Sequence, residues 1–381
     1  MLIFFFIVII YSTANYYIFS KLSAIANAGT PVDIIIGVVV FFMTLSPVLI
    51  PVYHHRGSEK KIIIFSYVGY MWLAFLVPFF PLGIFLDLYN IAVNYYGSFA
   101  GRDISSVTLS SYSIFFVPLF LSLAANTYGY HEAKNIRTER LVIHTSKLPE
   151  GVSRVRIAQI SDLHLGVIVK DSTLDRVIKK IEGENPDIIV STGDLVDGIT
   201  RHIDHLAKKL ENLKARLGKY AVIGNHEVYG GMTKTVKFIE DSGFTLLRGN
   251  GLTVEHTINV AGMDFVGGEA RKHSKESPQV QEHQIFSGLP SALFTLLLKH
   301  RSDVEKESLG LFDLQLSGHT HKGQIFPMSL ATMFIFSYHT GFTRLEKGSA
   351  IYTSRGTGTA GPPIRFLSPP EVTIIDIVSV T

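Results

Sequence analysis

Read along the chain, the apolar residues obey two different rules. Before about residue 130 they run almost unbroken, and beyond it they come in short stretches with polar punctuation. Four long runs make up the first regime: Leu2 to about Phe19, about Val32–Val52, about Ile62–Asp87 and about Ser113–Tyr130. Each is close to the ~20 residues that cross a bilayer as a helix. None shows the polar face that a buried helix of a soluble domain presents. The first run lacks a basic lead and a small-residue cleavage pattern, so it is expected to stay as a helix rather than be removed as a signal peptide. The third contains Pro78 and Pro81 and continues into the amphipathic Asp87–Tyr96. That pattern predicts either one long kinked helix or a span followed by an interfacial piece.

The second regime opens with Asn135–Lys147, a linker carrying a first strand at Leu141–His144. Val155–Ile160 is predicted as a strand. Leu174, Val177, Ile178 and Ile181 fall at helical spacing over about Ser172–Gly183, and Asn185-Pro186 ends that helix. Asp187–Thr192 is the next strand. Ile203, Leu206, Leu210, Leu213 and Leu217 mark a second helix closed by Gly218, and Tyr220–Ile223 is a third strand. This βαβαβ order implies a parallel core. From about Phe244 the pattern favours strands, at Thr245–Leu247, Leu252–Glu255, Ile258–Ala261, Leu293–Leu298, Leu314–Leu316, Gln324–Phe326, Ala350–Thr353 and Val372–Ile377. Gly267–Glu282 is polar and reads as a surface loop or short helix. The expected organisation is a transmembrane region of about four helices over 1–130, a linker and first strand over 131–152, and a folded α/β domain over 153–381.

Composition supports the division. A hydrophobic fraction of 47% and a mean hydropathy of +0.28 are high for a soluble chain of 381 residues. Arg56, Lys60 and Lys61 lie between the second and third runs, and Lys134, Arg137 and Arg140 follow the fourth; the other connections offer Lys21 and Arg102. With four spans, the positive-inside rule places both termini and the folded domain in the cytoplasm. The net charge of +3 gives no argument for a nucleic-acid partner. The chain has no cysteine, which excludes disulfides, thiolate nucleophiles and cysteine-held zinc. Any metal must therefore sit on His, Asp, Glu or Asn, a donor set suited to Mn, Mg, Fe or Zn. Nothing in the sequence points to an oligomeric state.

Five polar groups each follow an apolar strand. They are Ser161-Asp162-Leu163-His164, Gly193-Asp194-Leu195-Val196-Asp197, Gly224-Asn225-His226-Glu227, Lys299-His300 and Gly318-His319-Thr320-His321. In open α/β sheets ligands bind beyond the carboxyl ends of the strands, so all five are expected on one rim. Taken alone, the pair His319 and His321 could be a surface loop that happens to hold two histidines. Five such groups of metal-ligand residue types point instead to two adjacent divalent ions. An ion pair lowers the pKa of a shared water, orients a phosphoryl group and neutralises its charge.

These groups resemble the signature DxH, GDxxD, GNHE, H and GHxH of the calcineurin-like metallophosphoesterase superfamily, present here in order from about Ser153 to the C-terminus. His321–Gln324 and the tail Ser354–Arg365 look like its branch of membrane-associated bacterial phosphoesterases. The resemblance implies a four-layer αββα sandwich with two mixed sheets, and hydrolysis of a phosphate ester by a hydroxide bridging two divalent ions, with Mn favoured and Zn, Fe or Mg as alternatives. It implies that Asp162, His164 and His321 bind one ion, that Asn225, His300 and His319 bind the second, and that Asp194 bridges them. His226 would stabilise the phosphoryl transition state or protonate the leaving group, with Asn225 helping to hold the phosphoryl oxygens.

Several positions keep two readings. Asp162 and Asp194 could instead cap helices. The family usually carries His-x-Pro where this chain has His300-Arg301-Ser302, and His273 and His283 could compete for the role of His300. Asp197 and Glu227 are expected to hold turns or ligating histidines. Asp264 is expected to be a turn residue. Arg355 and Arg365 could bind substrate phosphate or pin the C-terminal loop. The expected enzyme is an integral protein of the bacterial plasma membrane. A lipid-linked phosphate is the favoured substrate, and a soluble nucleotide diester is the alternative. A non-catalytic metal-binding membrane scaffold is the reading from outside enzymology.

Overall fold

A computed structural model describes every residue except 1, 28, 57–58, 198–202, 266–279 and 381. The chain divides into two compact units. One comprises Met1–His131 with Ile325–Pro327 and Gly361–Phe366; the other comprises Glu132–Gln324, Met328–Ala360 and Leu367–Thr381.

The first unit is built on helices α1 (Leu2–Ala26), α2 (Thr30–Arg56), α3 (Glu59–Ala100) and α4 (Ser111–Glu132). The third apolar run and its amphipathic extension form one continuous helix of 42 residues, with Pro78 and Pro81 inside it. At 1.5 Å per residue it is ~63 Å long, about twice the thickness of a hydrocarbon layer. Ile63–Ala100 and Ser111–Glu132 are long and apolar enough to cross a membrane. Ala14, Ile18, Leu76, Phe79 and Phe115 form the core of this unit. Several of its polar groups find partners inside it. Asp87 accepts from the Tyr17 hydroxyl at 2.7 Å and pairs with Lys21 at 2.6 Å, and the Trp72 indole donates to Asn15 at 2.9 Å. Such pairing is what makes polar side chains tolerable among apolar helices.

The second unit is two six-stranded mixed sheets. The first sheet has the order β1 (Arg137–Thr145), β12 (Glu371–Ser379), β2 (Arg154–Ile160), β3 (Ile188–Ser191), β4 (Lys219–Ala221), β5 (Thr245–Leu246). From β2 to β5 every pairing is parallel, and β12 runs antiparallel to β2. The second sheet has the order β10 (Gly341–Arg344), β11 (Ala350–Thr353), β9 (Leu314–Ser317), β8 (Thr295–Lys299), β7 (Ile258–Met263), β6 (Asn250–Val254). Its inner four strands are parallel and its two edges antiparallel.

Alternation of side chains explains why the strands are apolar on both faces. In β2, Val155 and Ile157 join the core between the sheets, with Leu296, Leu298, Leu314 and Leu316 from the second sheet. Ala158 and Ile160 face the other way, against Leu174, Val177 and Ile181 of α5 (Asp171–Glu184) and Leu206 and Leu210 of α6 (Asp204–Asn212). In the second sheet, Ala261 and Leu297 turn outward to Ile285, Phe286 and Phe312. Part of that cover is the 3-10 turn Glu282–Phe286.

Some expectations on the elements need correction. Helix α6 stops at Asn212, although Leu213 and Leu217 remain buried, because the chain turns extended at Leu213 and delivers both to the core as loop residues. Gln324–Phe326 forms no strand; Ile325 makes one isolated bridge to Phe366. Four elements were not anticipated: α7 (Asn225–Gly230), α8 (Met232–Asp241), α9 (Met328–Ile335) and β10. The polar stretch expected over 267–282 lies mostly outside the described residues, and so does His273.

Candidate metal centre

The parallel runs β2–β3–β4 and β8–β9 send their carboxyl ends to common edges, and the polar groups follow directly. Asp162 and His164 come after β2, Asp194 after β3, and Asn225 and His226 open α7 after β4. His300 comes after β8, and His319 and His321 after β9. The two edges are joined at close range. The Gln159 amide donates to the Ser317 carbonyl at 3.0 Å, and the His319 N–H donates to both Asp162 oxygens at 3.0 and 3.1 Å. Gly318 makes that approach feasible, since a side chain there would collide with Ser161 and Asp162.

Five of the gathered residues sit at positive φ: Asp162 (51°), His164 (53°), Asp194 (51°), His319 (72°) and His321 (49°). Left-handed backbone is unfavourable for residues with a Cβ, roughly 1–3 kcal/mol each, and it persists where surrounding structure imposes it. Here the turn at each strand end has to fold the side chain back over the rim. The motif spacing contained no hint of this.

The donor atoms fall into three overlapping groups, each within 4.8 Å: Asp162, His164 and His321; His164, Asp194 and His226; Asp194, His300 and His319. Imidazole nitrogens approach one another closely. His164 Nε2 lies 3.0 Å from His321 Nε2, and His319 Nδ1 lies 3.1 Å from His300 Nε2. His300 Nε2 is also 3.1 Å from Asn225 Oδ1 and 3.3 Å from Asp194 Oδ2, and His321 Nε2 is 3.4 Å from Asp162 Oδ1. Two donors held at about 2.1 Å on one ion would be about 3.0–3.4 Å apart in octahedral or tetrahedral geometry. The observed spacings fit that range, and the N and O donor set fits divalent ions.

Supporting contacts orient the rings. His300 Nδ1 donates to the Thr192 carbonyl at 2.8 Å, which turns Nε2 into the centre. Glu227 accepts from the N–H groups of Asp194, Val196 and Gly224 at 2.9, 3.1 and 2.8 Å, tying the β3 and β4 turns together. His226 Nδ1 lies 2.9 Å from Asp197, and His226, like His319, is part-exposed. Asp197 also lies 3.5 Å from His164 Nδ1. Ser161, which donates to Asp162, and the Thr192 carbonyl carried no recognisable sequence signal.

The electrostatics are those of a buried anionic knot. Burial raises Asp162 above the usual carboxylate range. Burial acts the same way on Asp194, yet the neighbouring His300, His164 and His226 hold it well below that range. Burial alone would depress His300, but Asp194 lifts it to about 10. His319 is pushed down to about 3 by burial and by His300. A ligating imidazole is neutral, so a divalent cation would take the place of the proton on His300. His226 resists its burial and is raised to about 9, chiefly by the hydrogen bond to Asp197 and then by Asp194.

The other positions singled out from the sequence have partners of their own. The Arg355 guanidinium pairs with Glu139 and with Glu371 and donates to the Pro369 carbonyl at 3.1 Å, the contacts of a residue pinning the C-terminal loop. Arg365 belongs to the helical unit and is fully buried. Asp264 is buried and paired with Arg248 at 2.8 Å. His283 lies in the 3-10 turn Glu282–Phe286.

The family model for the calcineurin-like phosphoesterase matches residues 155–323, the interval that holds all of these donors. An uncharacterized metallophosphoesterase of Aquifex aeolicus is 35% identical over 260 residues, which cover 68% of this chain and 98% of that one. The chain belongs to the calcineurin-like metallophosphoesterase family. An uncharacterized metallophosphoesterase of Bacillus subtilis is 32% identical over 270 residues, 67% of this chain and 91% of the relative. A Danio rerio protein described as a transmembrane protein with metallophosphoesterase domain is 28% identical over 323 residues, 80% of this chain and 73% of the relative. This metallophosphoesterase is accordingly a metal-dependent phosphoester hydrolase, and its donor cluster forms a divalent dimetal site.

Proposed function

We propose that the chain is an integral membrane phosphoesterase whose donors divide between two ions. Asp162, His164 and His321 take one ion, Asn225, His300 and His319 take the other, and Asp194 serves both. Manganese is the proposed native metal, with zinc, iron and magnesium as alternatives. The observation that carries this reading is the overlap of the donor groups: two of the three contain Asp194 together with histidines from other strand ends. When bound, the ions would supply an activated water and neutralise charge on the phosphoryl group.

The chain's own residues do the rest. His226 is held by Asp197 through Nδ1, which leaves Nε2 to give a proton to the leaving oxygen. Asn225 opens α7 beside His300 and would steady a phosphoryl oxygen as well as a metal. The apolar helices and the likeness to a transmembrane relative support a membrane anchor, proposed to be in the bacterial plasma membrane, and the basic residues after α2 and α4 favour a cytoplasmic catalytic domain. An anchored site favours a phosphate ester on a membrane lipid over a soluble nucleotide diester.

Hydrolysis of bis(p-nitrophenyl) phosphate by the purified full chain with added Mn tests the assignment. Asp162→Asn and His226→Ala are expected to lose most of the activity while retaining the fold. Metal counting separates the two roles. His319→Ala and His321→Ala should each lose about one ion, and His226→Ala should keep both. Full activity in Asp162→Asn or His226→Ala would sink the assignment.

A further inference from the structure

Helix α9 is chemically out of place on the surface of a folded domain. Its sequence, Met328-Ser-Leu-Ala-Thr-Met-Phe-Ile335, has no charged residue. Of its side chains, Thr332 is the buried one, while Phe334 is 91%, Ile335 70% and Met333 55% exposed. Met328 and Leu330 are exposed beside them, and Phe342 of β10 adds a further exposed ring. Large apolar residues exposed singly are ordinary, but five on one short helix make a patch that calls for a partner.

The helix is tied firmly to the metal centre. A side chain on Gly323 would strike the backbone of Met328 and Ser329, so the turn after His321 and the start of α9 are in direct contact. The Phe336 ring stands edge-on to His319 at 5.6 Å, and the Thr320 hydroxyl donates to the His339 carbonyl at 2.6 Å. Beside the helix lies a cleft of about 970 Å³, walled in part by Ile335 and Phe336 and by Arg301, which follows the donor His300. Its charged lining is Arg301, Lys306, Arg344 and Lys347 against Asp303 and Glu346, a net excess of two positive charges.

Size and charge together choose the occupant. An eight-residue helix is ~12 Å long and ~10 Å wide, so its free face is on the order of 100–200 Å². That is far below the ~800 Å² per partner of a stable protein interface. Interfacial membrane helices need little more than a few inserted aromatic and aliphatic side chains flanked by basic residues. We propose that α9 docks in the interfacial layer of an anionic bilayer, and that the cationic cleft beside it admits the headgroup of a phosphate-bearing lipid to the dimetal site. The docking stands apart from the hydrolytic reading, whereas the substrate class rests on it.

The chain is free of cysteine, so a spin label can be placed without background. Phe334→Cys and, in a second sample, Ile335→Cys are labelled in the full chain reconstituted into vesicles of phosphatidylglycerol and phosphatidylethanolamine. Docking predicts that both labels relax more with oxygen than with a water-soluble nickel chelate, with the reverse at a label on Glu305→Cys. Labels open to the nickel chelate would overturn the proposal. So would labels closed to both reagents, the sign of a protein partner such as a second copy. For the substrate class, Met333→Asp with Phe334→Asp, both outside the cleft lining, should cut hydrolysis of p-nitrophenyl hexadecyl phosphate in vesicles at least tenfold and leave bis(p-nitrophenyl) phosphate hydrolysis unchanged. An equal loss on both esters, or on neither, rejects the lipid headgroup. If the unaltered chain with Mn hydrolyses neither ester, the hydrolytic reading fails, and the labels still decide the docking.

Discussion

At the scale of single residues the centre depends on side chains outside the proposed ligand set. Asp197 is the clearest case. It faces His226 Nδ1 at 2.9 Å and helps raise that imidazole to about 9 against the effect of burial. A raised histidine pKa means that the protonated form persists to higher pH, so the form proposed to donate the proton is present below about 9 and lost above it. The same sign governs stability: the contribution of the pair is complete below the unfolded value of 6.5 and disappears as pH rises through about 9. Asp197→Asn removes the charge while keeping the shape. The alkaline limb of the kcat/KM profile should then move to lower pH by about one unit or more, with bound metal nearly unchanged. A profile that does not move would assign the proton to another group. The motif pattern marked Asp197 as holding a turn or a ligating histidine, and its pairing with His226 and the direction of its effect needed the geometry.

At the scale of elements, what was legible in the sequence was what packing demands on both faces. Strands β2, β3, β8 and β9 bury every residue or nearly so, and a short apolar run is the trace this leaves. Helix α6 was read too long because Leu213 and Leu217 keep the helical spacing while lying on the loop that follows it, and periodicity cannot separate those two ways of reaching a core. Helix α7 was read as motif and not as helix, since Asn225, His226 and Glu227 are its first turn. That turn also explains Gly224. A Cβ there would run into the Asp194 carboxylate and lie 2.6 Å from the Asp194 backbone nitrogen. Gly224→Ala must therefore push β3 and β4 turns apart at the carboxylate shared by both donor groups. The expected result is loss of at least one ion by elemental analysis and more than tenfold loss of activity, with the circular-dichroism spectrum preserved. Retention of both ions would mean that the turns yield more easily than this close approach implies.

At the scale of the whole molecule, the chain joins an apolar helical unit to a domain whose chemistry is charged and hydrated. The apolar pattern changes near residue 130, close to the division at His131, but nothing in it marks Ile325–Pro327 and Gly361–Phe366 as part of the helical unit. The side on which the domain lies is a separate matter, decided by where the basic residues fall. Arg56, Lys60 and Lys61 crowd one connection, and Lys134, Arg137 and Arg140 follow the last helix, whereas the connection after α3 offers Arg102 alone. If α3 makes one crossing, Arg102 faces outward and the domain inward. Its 42 residues are about twice what one crossing needs, so the excess must project into water or lie along the surface. Single cysteines in the cysteine-free chain can read this directly. Arg102→Cys should react with a membrane-impermeant maleimide in intact cells, and His144→Cys on β1 only after permeabilisation. The opposite pattern would put the dimetal centre outside the cell and make the substrate an ester of the outer leaflet. Labelling of both sites in intact cells would place both connections on one side, which requires an even number of crossings between them and therefore an α4 that does not cross the membrane.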